Sequence, residues 1–211
     1  MFKTILKELR AHAPFTALGT LAGIVFLVLF TRLPKELSFR LFYFFHPTHV
    51  FFSALVTSSM FHLHSRSAGR ACGLGTLLAI GYLGSVGIGT VSDSLIPYLG
   101  ERLLGLPHAH AHIGFIEEWW LVNPLAFLGI LLAHRAPFTK LPHAVHILLS
   151  TWASIFHMLM AMGDGFAWPA VATLAVFLFI AVWVPCCTSD IVFPLLFFGK
   201  APSCDCHRSH S

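Results

Sequence analysis

Charge is what this sequence has least of. Charged residues make up 10% of the 211-residue chain, against roughly 25% in water-soluble domains. With 56% hydrophobic residues and a mean hydropathy of +0.78, there is too little polar surface to clothe a soluble globule of this size. A basic run is also missing. The net charge of +4 is spread over loops and ends, which excludes a nucleic-acid footprint. The nucleotide phosphate loop, the dinucleotide glycine fingerprint, His-Glu-x-x-His and the Gly-x-Ser-x-Gly elbow are all absent. The common soluble enzyme templates are thereby removed.

Long apolar stretches take their place. A spanning helix needs roughly 20 apolar residues, and six segments approach that length: about 13–30, 41–61, 73–97, 119–134, 144–162 and 169–184. A cleaved signal peptide competes for the first, because Lys3, Lys7 and Arg10 precede it. Its length and the absence of a small-residue cleavage site after it favour a retained span. In the second segment Pro47 marks a helix start, with residues 41–45 as an aromatic lead-in. In the third, Gly81, Ser85 and Gly89 recur every four residues, the small-residue pattern of close helix packing. Trp119 and Trp120 fit an interfacial belt. Residues 191–198 are too few to span and are expected at the interface.

Lysine and arginine set the orientation. The N-terminus, the loop with Arg66 and Arg70, the loop with Arg135 and Lys140, and the tail with Lys200 and Arg208 share one face if there are six spans. Only the loop with Arg32, Lys35 and Arg40 dissents. Cys72, Cys186, Cys187, Cys204 and Cys206 fall on that same face, where thiols stay reduced. The expected fold is therefore all-α: a polytopic membrane helix bundle of six transmembrane helices, both termini cytosolic, in the cell membrane. Residues 1–200 form one transmembrane domain and residues 201–211 a short cytosolic tail containing Cys and His.

Fourteen histidines are the anomaly in so apolar a chain, since an ionisable residue at membrane depth is costly and points to an interior site. His49, Ser53, Thr57 and His64 share one helical face, as do His146, Ser150, Ser154 and His157. The plain alternative is that hydroxyls glue helices together while the histidines snorkel. Two matching stripes on separate spans favour a polar interior path. His46, His49, Asp93, Glu117, Glu118, His157 and Asp164 all fall towards the opposite, outer ends of their segments. Imidazole with carboxylate suits a divalent transition metal, zinc first, with Fe, Ni, Mn or Cu also compatible. Ordinary helix-end chemistry is the alternative for Asp93, and dipole compensation for Glu117 and Glu118.

Two further sets suggest metal capture. His108, His110 and His112 alternate along one loop, and Cys204, Cys206 and His207 form a Cys-x-Cys-His tail. The expected function is a metal permease with an intramembrane His/Asp/Glu site. A membrane-embedded metalloenzyme, hydrolase or oxidoreductase, uses the same residues, and a scaffold without catalysis uses none of them. The expected partners are bilayer lipid and the metal ion, with no nucleic acid and a homo-oligomer left open.

Overall fold

The computed structural model describes residues 2–29, 33–69, 71–137, 140–162 and 168–197. Among them there is no β-strand. Six long helices appear: α1 (Phe2–Leu29), α2 (Lys35–Ser67), α3 (Leu74–Leu103), α5 (Trp119–Arg135), α6 (Lys140–Met162) and α7 (Trp168–Cys187). A single turn, α4 (Gly114–Glu117), precedes α5. After α7 the chain continues through a wide π turn (Thr188–Val192) into Phe193–Leu195.

Local chemistry explains the helix limits. α2 starts after Pro34 in extended geometry, with Glu36 in its first turn and His64 and Arg66 in its last, matching the helix dipole at both ends. It runs through Pro47 without a break, so the expected start at Pro47 is too late. The ring costs the bond to the Tyr43 carbonyl but not the helix, because packing on every side holds the rest of the ladder. α3 likewise runs past Pro97. A π turn at Val91–Leu95 carries the Ile96 N–H to the Val91 carbonyl. The ladder is thus already shifted where proline would have broken it. α3 ends at Gly105, whose φ of +64° only glycine adopts freely. The Gly105 N–H bonds the Arg102 carbonyl, and the Leu106 N–H bonds that of Glu101, a Schellman cap.

α2 is the central helix. It packs most extensively on α6 and α5, with α3 on a third side; α1 leans on α6 and α7, and α7 on the C-terminal part of α3. Phe42, Ile155, Met158, Leu174 and Leu178 fill one apolar cluster; Ala54, Leu77, Ile80 and Ile130 fill another. The small-residue stripe is used selectively. A Cβ on Gly81 would come within 2.7 Å of Ile130, whereas one on Gly89 would meet nothing closer than 3.5 Å. The segment expected at the interface packs inward in part: Pro194 is buried and Phe193 rests on the Ala54, Leu77 and Ile80 cluster.

Among the described glycines, Gly129 on α5 is the one whose added carbon would meet neighbouring backbone. A Cβ there would sit 2.5 Å from the Phe51 carbonyl oxygen and 3.2 Å from the Leu55 nitrogen. Backbone of the central helix cannot yield as a side chain can. Gly129→Val is expected to destabilise the bundle by at least the ~1–3 kcal/mol of ordinary overpacking. Gly75→Ala, with nothing within 4 Å of its added carbon, is the control. Thermal unfolding in detergent compares them, and equal midpoints would contradict the close packing.

By length and hydropathy, two of the described helices are able to cross a membrane, Leu74–Leu103 and Val145–Met162. Thr16–Phe26 and Val171–Pro185 are shorter apolar segments. α2 fails the same criterion because its inward face is polar: His46, His49, Ser53, Thr57, Ser58, His62 and His64 are all buried.

Candidate metal centre

The sequence stripe on α2 folds inward. His46 and His49 lie three residues apart on one helical face, and the π turn of α3 rotates Asp93 towards them. All three are at most 1% exposed. His46 Nδ1 lies 2.9 Å and His49 Nδ1 2.6 Å from the same oxygen, Asp93 Oδ2. The other oxygen, Oδ1, accepts from Ser92 Oγ and Ser150 Oγ, each at 2.7 Å. The carboxylate is thus fully engaged, two imidazoles on one side and two hydroxyls on the other. Each ring is fixed from behind. His46 stacks on Phe42 at 5.2 Å and 7°, and His49 on His146 at 5.6 Å and 10°. Gly114 of α4 completes the seal, since a Cβ there would lie 2.6 Å from His46 Nε2.

The donor set suits a divalent cation. Two Nδ1 atoms and one carboxylate oxygen lie within 4.8 Å of one another. Bonds of about 2.0–2.2 Å to such ligands place tetrahedral neighbours roughly 3.3 Å apart. The observed separations of 2.6 and 2.9 Å are shorter, so accepting an ion requires a spread of roughly half an ångström, more at His49 than at His46. His46 and His49 would hold it through Nδ1 and Asp93 through Oδ2. The burial is consistent with this. No lysine or arginine is buried among the described residues, so Asp93 is held by its two imidazole and two hydroxyl partners alone, and a divalent cation would add the opposite charge that favours a buried carboxylate.

The other residues expected in one outer set divide between two clusters. His157 lies apart from Asp93. Its Nδ1–H donates to Glu101 Oε1 at 2.7 Å, and its Nε2 lies 3.4 Å from both Ser94 Oγ and the His112 N–H. Glu101 is fully buried, and its second oxygen has no partner. Glu117 ends the short helix α4 beside the bundle, where the Tyr43 hydroxyl and the Ile113 N–H donate to it and His112 Nδ1 lies 3.0 Å away. Partial burial works to raise its carboxyl; the bonds from Tyr43, His112 and Ile113 prevail and hold it below the ordinary value. Burial pushes the His112 imidazole below its usual range, against the pull of Glu117.

Glu118 joins neither cluster. Its carbonyl starts α5 by accepting from the Leu121 and Val122 N–H groups. His110 and His112 come together with ring centroids 4.9 Å apart, while His108 is exposed and its backbone N–H is bonded to the Ala161 carbonyl at 3.3 Å. Asp164, Cys204, Cys206 and His207 lie outside the described residues.

On both sides of the triad the polar stripes meet. Ser154 Oγ bonds the Ser92 carbonyl at 3.3 Å, and His146 is wholly buried. Ser53 and Thr57 then meet Ser189 at 3.3 and 3.1 Å, and Ser189 bonds the Gly84 carbonyl at 2.8 Å. At the far end of α2, His62 lies 5.6 Å from the His134 ring. Glu101, Tyr43, Gly114 and Ser189 are neighbours of these polar groups that sequence reasoning missed. Glu101 follows Ser94 by seven residues, a same-face spacing that becomes informative only once α3 is known to pass Pro97.

No family model, curated protein or solved structure matches this chain.

Proposed function

We propose that this chain is a multi-pass membrane protein that carries a divalent transition-metal ion through the interior of its helical bundle. The observation that carries the reading is the convergence of two imidazoles and a carboxylate, all sealed from solvent, on one point of the core. Imidazole and carboxylate suit zinc first, with iron, nickel, manganese and copper as compatible ions.

The membrane placement rests on an inside-out pattern. Each of the six long helices turns large apolar side chains outward, for example Leu21, Phe44, Leu83, Leu131, Leu148 and Val176, while serines, threonines and histidines fill the interior. Exposed apolar surface on all sides marks a lipid-facing wall rather than one binding patch. Six spans put both termini on the cytosolic side by the lysine and arginine rule, with the triad towards the opposite face. The serine and threonine line from Asp93 to Ser189, and the histidines at the far end of α2, supply polar groups across the bundle. α2 and α6 are the second and fifth spans, equivalent positions in a three-plus-three inverted plan, and they form the most extensive helix pair.

A membrane-embedded metalloenzyme is the second reading, and one observation favours it. Two histidines with one carboxylate leave coordination positions open for a co-substrate. An apolar cavity of about 370 Å³ lies between α1, α2 and α6, lined by Phe26, Phe45, Trp152 and Phe156 and by none of the triad residues.

Reconstitution separates the two. Purified protein in liposomes containing a zinc-sensitive dye is expected to admit Zn²⁺, and His49→Ala to reduce the rate at least tenfold. Bound metal without flux would reject transport and leave the enzyme reading.

A further inference from the structure

We propose that the loop between α3 and α5 holds a second divalent-metal site, formed by His110, His112 and Glu117. The three offer donor atoms within 4.8 Å of one another, with His112 Nδ1 3.0 Å from Glu117 Oε2. Two imidazoles and one carboxylate, with a fourth position for water, form a zinc-type set. Hard cations such as Mg²⁺ and Ca²⁺ prefer oxygen ligands alone.

Pre-organisation distinguishes this group from a chance cluster on a loop. Glu117 is held by the Tyr43 hydroxyl and the Ile113 N–H, so its carboxylate is already placed before an ion arrives. The His112 ring packs at 5.5 Å on the His157 ring and near Phe42. His108 stays outside the set.

Accessibility gives the site its role. The side chains of His112 and Glu117 are 17% and 34% exposed, open to ions in water, whereas His46, His49 and Asp93 are closed to it. The loop is also tied to both buried clusters. Tyr43 lies three residues before His46 on α2, and the His112 N–H touches His157 Nε2. The loop site is therefore where an ion is first taken from water, before it passes to the core triad. This loading role rests on the transport reading; the existence of the site does not.

The test is calorimetric titration of the full-length protein in detergent with Zn²⁺ alone, comparing wild type, His110→Ala/His112→Ala and Asp93→Asn. The loop variant is expected to lose one equivalent relative to wild type while its helical circular dichroism is unchanged. Tyr43→Phe, which keeps the ring and removes the hydroxyl, is expected to weaken that same equivalent by roughly tenfold, as loss of an outer-shell partner does. Unchanged stoichiometry in the loop variant overturns the loop site whatever Asp93→Asn does. Loss of one equivalent in the loop variant but none in Asp93→Asn sustains the loop site and removes the core triad. No binding by wild type overturns both.

Discussion

Asp93→Ala is expected to abolish ion binding at the core and to destabilise the bundle by about 3–5 kcal/mol. The carboxylate is the shared acceptor for His46, His49, Ser92 and Ser150. Its removal strands the two imidazoles and leaves Ser150 only its long 3.4 Å contact to Ser92 Oγ, while Ser92 keeps the Gly89 carbonyl. Each stranded group forfeits about 1–3 kcal/mol of desolvation if it finds no new partner, and partial rearrangement brings the sum down to the range given. Asp93→Asn keeps the shape and two lone pairs but turns an amide N–H₂ towards one set of donors. It is expected to lose the ion as well, with a smaller loss of stability. Thermal unfolding in detergent, with bound metal measured on the same samples, checks both. A fully stable Asp93→Ala protein would show that the polar centre is not a structural node.

The second large effect is expected at His157. His157→Leu leaves Glu101 buried with neither oxygen paired, and a lone buried charge costs about 3–5 kcal/mol. Replacing both partners should hurt less than replacing one. His157→Leu with Glu101→Gln removes the charge together with its partner, so the double variant is expected to unfold at a higher temperature than the single. A double variant less stable than His157→Leu would mean that Glu101 has another compensating partner. The interaction of His157 with the His112 N–H and Ser94 is long, at 3.4 Å, and adds little to this difference.

The long helices were legible because apolar length alone marks them. The inward stripes were legible from helical spacing, and the placing of His46 and His49 beside Asp93 followed from where the segments end. Helix continuity was not legible. Pro47 and Pro97 both read as boundaries, yet α2 and α3 pass through them. Proline's local cost is fixed, but packing around it is a property of the whole bundle. The π turn at Val91–Leu95 had the larger consequence. It changes the rotation per residue, so spacing arithmetic could not carry the face of Asp93 forward to Glu101. Glu101 is therefore absent from the expected site, and His157 is grouped with Asp93 instead of with its own carboxylate. Glu118 resembled Glu117 in sequence; the break at Glu118, with φ −119° and ψ 48°, separates them in space.

Cobalt(II) provides the most direct test of the central idea, that His46, His49 and Asp93 are ligands. The protein would carry His110→Ala, His112→Ala, Cys204→Ser, Cys206→Ser, His207→Ala and His210→Ala, which removes the imidazoles and thiols of the loop site and the tail. One equivalent of Co²⁺ is expected to develop the visible absorption of a low-symmetry imidazole and carboxylate site, and to lose it when His46 and His49 are also replaced by alanine. A spectrum that stays that of the hydrated ion would contradict the assignment.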